Sequence, residues 1–229
     1  MQPDPFSDIN IIASWAKNAL PWISAVREGR IESRRQVTDR AIVDAVLART
    51  PRTVLDVGCG EGWLVRALAR HGIEACGVDA IPALVEAARA AGGGDFRVAS
   101  YEDIAAGNVG ASVDALVCNF SLLGRASVEG IFAAAPSMLN ARGALIVQTL
   151  HPVHACGDLP YRDGWRQGSW TGCQGDFSDP APWYFRTLEG WTRLFEDNGF
   201  RLRALREPIH PQTGKPASVI LIGERPSGR

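Results

Sequence analysis

The stretch "VLDVGCGEGW", residues 54–63, runs from β-branched and apolar residues into glycines at every second position, Gly58, Gly60 and Gly62, with Asp56 just ahead of them. A strand that breaks into such a turn puts the turn at its carboxyl end, where open α/β sheets bind their ligands. Glycine there accepts positive φ and lets the backbone approach a ligand closely. The spacing is G-x-G-x-G, with Trp63 standing where a dinucleotide fingerprint would carry its third glycine. Asp56 would also oppose a pyrophosphate, whereas it favours an ammonium or a sulfonium. Both features disfavour a nicotinamide-dependent oxidoreductase, the usual alternative for a glycine loop.

Working outward, the hydrophobic periods alternate. "WLVRALARHG" is an amphipathic helix, "IEACGVD" a strand, and "IPALVEAARAAG" a helix with Pro82 in its permitted first turn. The alternation continues with a strand at 95–99, a short helix at 101–106, the strand "SVDALVCNF", a helix at 127–139, the turn "NARG" and the strand "GALIVQTL". Ahead of the loop, apolar spacing predicts a helix over 8–27, bent or divided by Pro21, and a second over 33–49. Beyond it, 151–186 shows no sustained period and holds Trp165, Trp170 and Trp183 of the seven tryptophans. That segment is either a lid or a satellite core under a long loop. A helix at 187–198 and the strands "FRLRALREP" and "ASVILIG" follow as an antiparallel pair closing the sheet. The predicted fold is α/β: a Rossmann-like, seven-stranded, mostly parallel sheet with an antiparallel last strand, helices on both faces and an N-terminal helical extension.

Composition restricts the partners. The 229 residues are 46% hydrophobic and 21% charged with a formal net charge of −1, the profile of an ordinary globule without the basic footprint of a nucleic-acid binder. No run approaches the roughly 20 apolar residues of a membrane span, and "MQPDPFSDIN" lacks a signal-peptide pattern, so a cytoplasmic chain is expected. Nothing in the sequence argues for a particular oligomer. The five cysteines are an odd number, and Cys59, Cys76 and Cys118 lie in apolar runs, so reduced thiols are expected.

Asp79 closes the second strand, where a carboxylate can accept both hydroxyls of a ribose. A ribose without phosphates and with a cationic tail describes S-adenosyl-L-methionine. The runs "VLDVGCGEG", "GVDAIPALVEAARA", "VDALVCNFSLL" and "GALIVQTLHP" closely resemble, in order and spacing, the motifs of class I S-adenosylmethionine-dependent methyltransferases, particularly small-molecule enzymes similar to the ubiquinone-biosynthesis O-methyltransferases. The resemblance is strong over 50–150 and extends to 187–224. It implies a single domain over 1–229: a helical cap (1–49), a cofactor-binding core (50–150), an aromatic lid (151–186) and a last helix and strand pair (187–229).

Carried over, the resemblance places Gly58, Gly60 and Gly62, with Cys59 between them, against the methionine moiety, Asp56 near its amino group, Asp79 on the ribose, and Ala80 and Ile81 at the adenine. "VASYEDI" matches the stretch that contacts adenine, but Ser100 replaces the usual aspartate and Tyr101 follows, leaving Ser100 or Glu102 as partner of the exocyclic amine. Asn119 and Phe120 form the next cofactor-lining pair, and Arg34 or Arg35 binds the methionine carboxylate. Trp15 and Trp22 help roof the pocket.

The end of the fourth strand reads Asn119-Phe120-Ser121-Leu122 rather than N-P-P-[YF]. With the near-neutral charge, this points to a small-molecule methyl acceptor, through a hydroxyl oxygen ahead of nitrogen or carbon. His151, and after it His154, are candidates for a general base, with a structural histidine the competing reading of His151. Together with Cys156 and Cys173 they form H-x-x-H-x-C…C, but the second half lacks paired ligands and no metal is expected. A protein that binds the cofactor without turnover is the remaining alternative.

Overall fold

The computed structural model describes residues 5–226. Residues 1–4 and 227–229, the extreme ends of the expected domain, lie outside the described residues.

Helices α1 (Asp8–Lys17) and α2 (Ala19–Arg27) open the chain. They divide at Asn18 rather than at Pro21, because Pro21 falls in the first turn of α2, where a missing N–H costs no helical hydrogen bond. A π-helical turn (Arg34–Thr38) leads into α3 (Asp39–Leu47), splitting the helix expected over 33–49. The alternating core follows: β1 (Thr53–Val57), α4 (Trp63–Ala69), β2 (Glu74–Asp79), α5 (Pro82–Ala91), β3 (Asp95–Val98), α6 (Tyr101–Ala105), β4 (Val113–Asn119), α7 (Ala126–Met138) and β5 (Leu139–Thr149).

"NARG" forms no separate turn. It bulges within β5, where pairing with β4 jumps from Val113–Leu139 to Ala115–Ala144 and Arg142 takes φ +64°. The segment after β5 carries α8 (Pro152–Ala155) and a two-stranded antiparallel pair, β6 (Gly164–Arg166) and β7 (Trp183–Phe185). The chain ends with α9 (Leu188–Asp197), β8 (Arg201–Arg206) and β9 (Val219–Glu224).

The main sheet has the order β3-β2-β1-β4-β5-β9-β8, with β9 inserted antiparallel between β5 and β8. Its central strands are buried on both faces, as a sheet covered by helices on both sides requires. Leu55, Val57, Leu116 and Cys118 pack toward Phe132 and Phe195, while Val54, Ala115 and Val117 pack toward Ile42, Leu64 and Val85. From β1 the order proceeds through β2 to β3 on one side and through β4 to β5 on the other, so the strand reversal, with its crevice, falls at the carboxyl end of β1, after Val57. Among the described residues, no helix is long and apolar enough to cross a membrane.

Candidate active site

β1 ends and the chain turns at once, because the N–H groups of Gly58 and Cys59 both donate to the Val78 carbonyl of β2, at 2.8 and 3.0 Å. Gly58 has φ +76°, and a Cβ there would stand 2.3 Å from Ser121 Cβ. The carboxylate of Asp79 pins the loop: Oδ2 accepts from Gly60 N–H and Oδ1 from Ile81 N–H, each at 2.9 Å. These bonds leave further lone pairs on both oxygens for a ligand. Burial pushes the Asp79 carboxyl up.

Glu61 escaped the sequence reading. It is 1% exposed, accepts from Arg66 with both oxygens at 2.7 Å and from Arg27 Nε at 3.1 Å, and so ties the loop to α4 and α2. An acid inside a glycine turn with an arginine five residues on is a weak signal of such a strut. Cys59 fills the space beside Gly77, where a Cβ would meet its own at 2.7 Å, and burial pushes its thiol up, the opposite of an activated nucleophile.

Asp56 lies behind the loop, 2% exposed, with Oδ1 buried and without a partner. Burial foremost, and then the charge of Asp79, raise its pKa to about 8, with Arg34 opposing. The folded protein therefore keeps a proton that the unfolded chain releases near pH 4. The contribution of this carboxyl to stability is accordingly complete below the ordinary carboxylate range and is lost as pH rises toward 8. Urea midpoints across this window should show that decline, and Asp56→Asn should flatten it. Equal slopes in the two proteins would refute the protonated carboxyl.

The two arginines separate cleanly. Arg35 is exposed and outside the cavity lining, whereas Arg34, in the π-helical turn, is 9% exposed and lines the cavity. Its Nε donates to Asp39 Oδ1 at 2.9 Å, and its guanidinium lies 4.7 Å from the Trp63 ring centroid and 5.6 Å from that of Trp22. Its Nη2 is buried without a partner. On the facing wall, Asn119 Oδ1 is likewise buried and unpartnered, and Phe120 is held at φ +54° by its N–H bond to the Gln148 carbonyl at 2.8 Å.

Around these groups runs a cavity of about 370 Å³, within the usual span of small-molecule sites. Gly58, Cys59, Gly60, Asp79, Ala80, Ile81, Tyr101, Glu102, Asn119 and Phe120 all line it. Tyr101 reaches across, its hydroxyl donating to the Ser121 carbonyl at 2.9 Å. Gly62 stands back from the cavity, its α-carbon pressed so near the Phe96 ring that a Cβ would fall 2.6 Å from it.

Ser100 also stays outside the lining. Its hydroxyl caps α6, accepting from Asp103 N–H at 3.1 Å, and the Asp103 carboxylate answers to Ser100 N–H at 2.9 Å. Of the two candidates for an adenine partner, Glu102 is the one at the cavity wall.

The histidines sit elsewhere. His151 is 5% exposed but does not line the cavity, and its Nε2 meets Glu207 Oε1 at 2.8 Å. His154 is exposed on α8, with its ring 5.3 Å from that of His151. The expectation of a histidine base facing the reacting groups is thus corrected: β5 ends at Thr149, and Thr149 and Leu150, not His151, face the cavity. Cys156 donates to the Leu159 carbonyl, while Cys173 lines the cavity, so the histidines and cysteines do not converge. Among the described residues no group of three His, Cys, Asp or Glu side chains could hold a metal.

Two outlying segments roof the cavity and clasp one another. Asn18, fully buried, donates from Nδ2 to the Ser178 carbonyl at 2.8 Å and accepts the Ser178 N–H on Oδ1 at 2.9 Å. Ser14 Oγ donates to the Asp179 carbonyl at 2.6 Å, and Lys17 pairs with the Asp179 carboxylate. Trp15 meets Trp22 and Trp170 edge-on, at 5.0 and 5.5 Å between centroids. All three indoles line the cavity.

The unpartnered atoms specify a complementary ligand. Arg34 Nη2 seeks an anion, Asn119 Oδ1 seeks a donor, and the Asp79 carboxylate retains acceptor capacity, whereas Asp56, expected beside the ligand's amino group, stays behind the loop and does not line the cavity. A group carrying both a carboxylate and an ammonium fits the first set, and a diol fits the last.

The sheet order, with its crevice at the strand reversal beside the glycine loop, defines a Rossmann-like α/β fold. The profile of the methyltransferase domain family matches residues 31–205, and the chain belongs to that family. It is 39% identical over 114 residues to the ubiquinone biosynthesis O-methyltransferase of Xanthomonas campestris pv. campestris (strain B100), a match covering 48% of this chain and 47% of that one. The chain thus matches about half the length of this curated relative. Among solved structures it resembles the magnesium protoporphyrin IX methyltransferase of Synechocystis PCC 6803 with bound SAH, at 18% identity and TM-score 0.67 over 96% of this chain and 100% of that one. It also resembles an S-adenosylmethionine-dependent methyltransferase of Mesorhizobium loti, at 19% identity and TM-score 0.59 over 80% and 96%. At these identities the structural likeness bears on the fold.

Proposed function

We propose that this chain binds S-adenosylmethionine and transfers its methyl group to a hydroxyl oxygen of a small molecule. The observation that carries this reading is the pair of orphaned polar atoms on one cavity: Arg34 Nη2 suits the methionine carboxylate, and Asn119 Oδ1 suits its ammonium. Asp79 suits the ribose hydroxyls, and Ile81 and Leu84, packed against Trp15 and Trp22, suit the adenine. Relatives named as O-methyltransferases support oxygen as the acceptor atom.

When bound, S-adenosylmethionine supplies a methyl carbon already activated by its sulfonium. The chain's own contribution is positional. The loop and Asp79 fix one reactant, the wall after β4 and β5 holds the other, and the clasped roof excludes water. Nucleophile and methyl need to be held in line at about 3–3.5 Å, a task for shape more than for acid–base groups. His151 is read as structural, tying α8 to the 207–216 connection through Glu207.

Calorimetric titration with S-adenosylhomocysteine tests the cofactor site, and turnover of hydroxylated aromatics tests the transfer. Binding should weaken about tenfold or more in Arg34→Ala, the loss of one charge-assisted hydrogen bond. Arg35→Ala should bind like the parent. Equal affinities in the two variants would remove Arg34 from the site, and absence of binding in the parent protein would overturn the reading.

A further inference from the structure

The sheet carries a second cavity at its opposite end. Between the turn that leads from α3 into β1, the start of β4 and the bulge of β5 lies a space of about 330 Å³, lined by three arginines, Arg49, Arg52 and Arg142, and by one acid, Asp114. The active-site crevice opens at the carboxyl ends of the parallel strands, whereas this cavity lies at their amino ends and shares no lining residue with it.

Its charges are unbalanced. The Asp114 carboxylate is already engaged: Oδ1 accepts from Asn140 Nδ2 at 2.7 Å and Oδ2 from the N–H groups of Arg52 and Thr53 at 2.9 and 3.2 Å, and these bonds, the one from Asn140 foremost, hold its carboxyl below the usual carboxylate range. Behind the cavity Glu224 is shared, accepting from Arg49 Nη2 at 2.7 Å and from Arg203 Nη2 at 2.9 Å. The Nε of Arg49 is buried without a partner. Arg52 and Arg142 are exposed, and among the described residues neither guanidinium has a hydrogen bond or an ion pair. Like charges gathered around one hollow repel each other, a cost that a bound anion removes.

The backbone is bent where these side chains are presented. Thr50, just past the end of α3, takes φ +47°, a conformation that glycine adopts cheaply and a β-branched residue does not. Arg142 takes φ +64° at the β5 bulge, and a bulge re-aims the side chain it carries. Conformations of this kind gather at ligand clamps, where the surrounding structure holds them.

We propose that this arginine-lined cavity binds a phosphate dianion, free or as the terminal group of a small ester. Guanidinium groups offer paired N–H donors in the geometry that phosphate oxygens accept. Three arginines against the single Asp114 leave the lining with two positive charges in surplus, the charge a dianion neutralises. The volume, at the lower end of the span of small-molecule sites, leaves room for the organic part of an ester. The site stands whether or not the chain transfers methyl groups.

Isothermal titration of the full chain with inorganic phosphate and with glycerol 3-phosphate, at low salt and mildly alkaline pH where both are dianions, tests the site. At least one should bind saturably, one per chain, and the tighter of the two tells whether the dianion is taken free or esterified. Arg52→Ala and Arg142→Gly should each weaken that binding about tenfold or more, the loss of charge-assisted hydrogen bonds. A glycine also suits φ +64°, so Arg142→Gly should melt no lower than the parent, which separates lost binding from lost folding. Arg34→Ala, at the other end of the sheet, should bind phosphate like the parent. The inference is overturned if neither compound binds saturably, if Arg52→Ala and Arg142→Gly keep the parental affinity, or if the binding is lost in Arg34→Ala instead.

Discussion

A Gly58→Ala protein is expected to melt about 5–15 °C below the parent and to lose measurable affinity for S-adenosylhomocysteine. The left-handed φ of +76° costs an alanine about 1–2 kcal/mol. The new Cβ would lie 2.3 Å from Ser121 Cβ, an overlap that requires movement worth a further 1–3 kcal/mol or so. For a chain of this size, each kcal/mol shifts Tm by about 2–4 °C. Ser121 cannot retreat freely, because its Oγ donates to the Val57 carbonyl at 2.6 Å and its own carbonyl accepts from Tyr101 at 2.9 Å. Both walls of the cofactor end therefore shift together. Differential scanning calorimetry with and without ligand measures both effects, and a variant that melts and binds like the parent would refute the close approach.

Asp79→Asn is expected to weaken S-adenosylhomocysteine binding by about thirtyfold or more, roughly 2 kcal/mol or above. The native carboxylate offers an oxygen to Gly60 N–H and another to Ile81 N–H. An asparagine has one carbonyl oxygen, so one backbone donor faces an NH₂ group and the loop loses a restraint, apart from any contact to the ribose. Asp79→Glu, which retains both oxygens but moves them, should recover little. Isothermal titration of the three proteins decides this; parental affinity in Asp79→Asn would remove the acid from the binding site.

Much of the architecture was legible because the relevant signals are local. The run from Thr53 to Trp63 fixes strand, turn and helix by residue type alone, and the period shifts after it repeat the unit. The errors came where a distant partner decides the outcome. Pro21 looked like the break between the first two helices, yet the break is at Asn18, whose side chain is taken by Ser178. "NARG" reads as a turn, but β4 continues past it and absorbs the residues as a bulge.

The candidate site shows the same division. Gly58, Gly60 and Asp79 are placed by the chain immediately around them. Arg34 and Arg35 are equivalent in sequence, and a turn of π-helix sends one inward and the other to solvent. Ser100 carries a short-range signal that was open to a better reading, since the serine followed three residues later by an acid is a capping pattern. His151 offered none: its partner Glu207 lies across the fold, and the residue that reaches the cavity is its neighbour Leu150.

The clasp between Asn18 and Ser178 joins residues 160 positions apart. A nascent chain that has completed its glycine loop and all of its parallel strands still has an uncovered crevice until residues near 178 are made and return to the first two helices. Closure of the crevice is in that sense a late-acquired property of the growing chain, set by the return of residues near 178 to Asn18 rather than by the sheet.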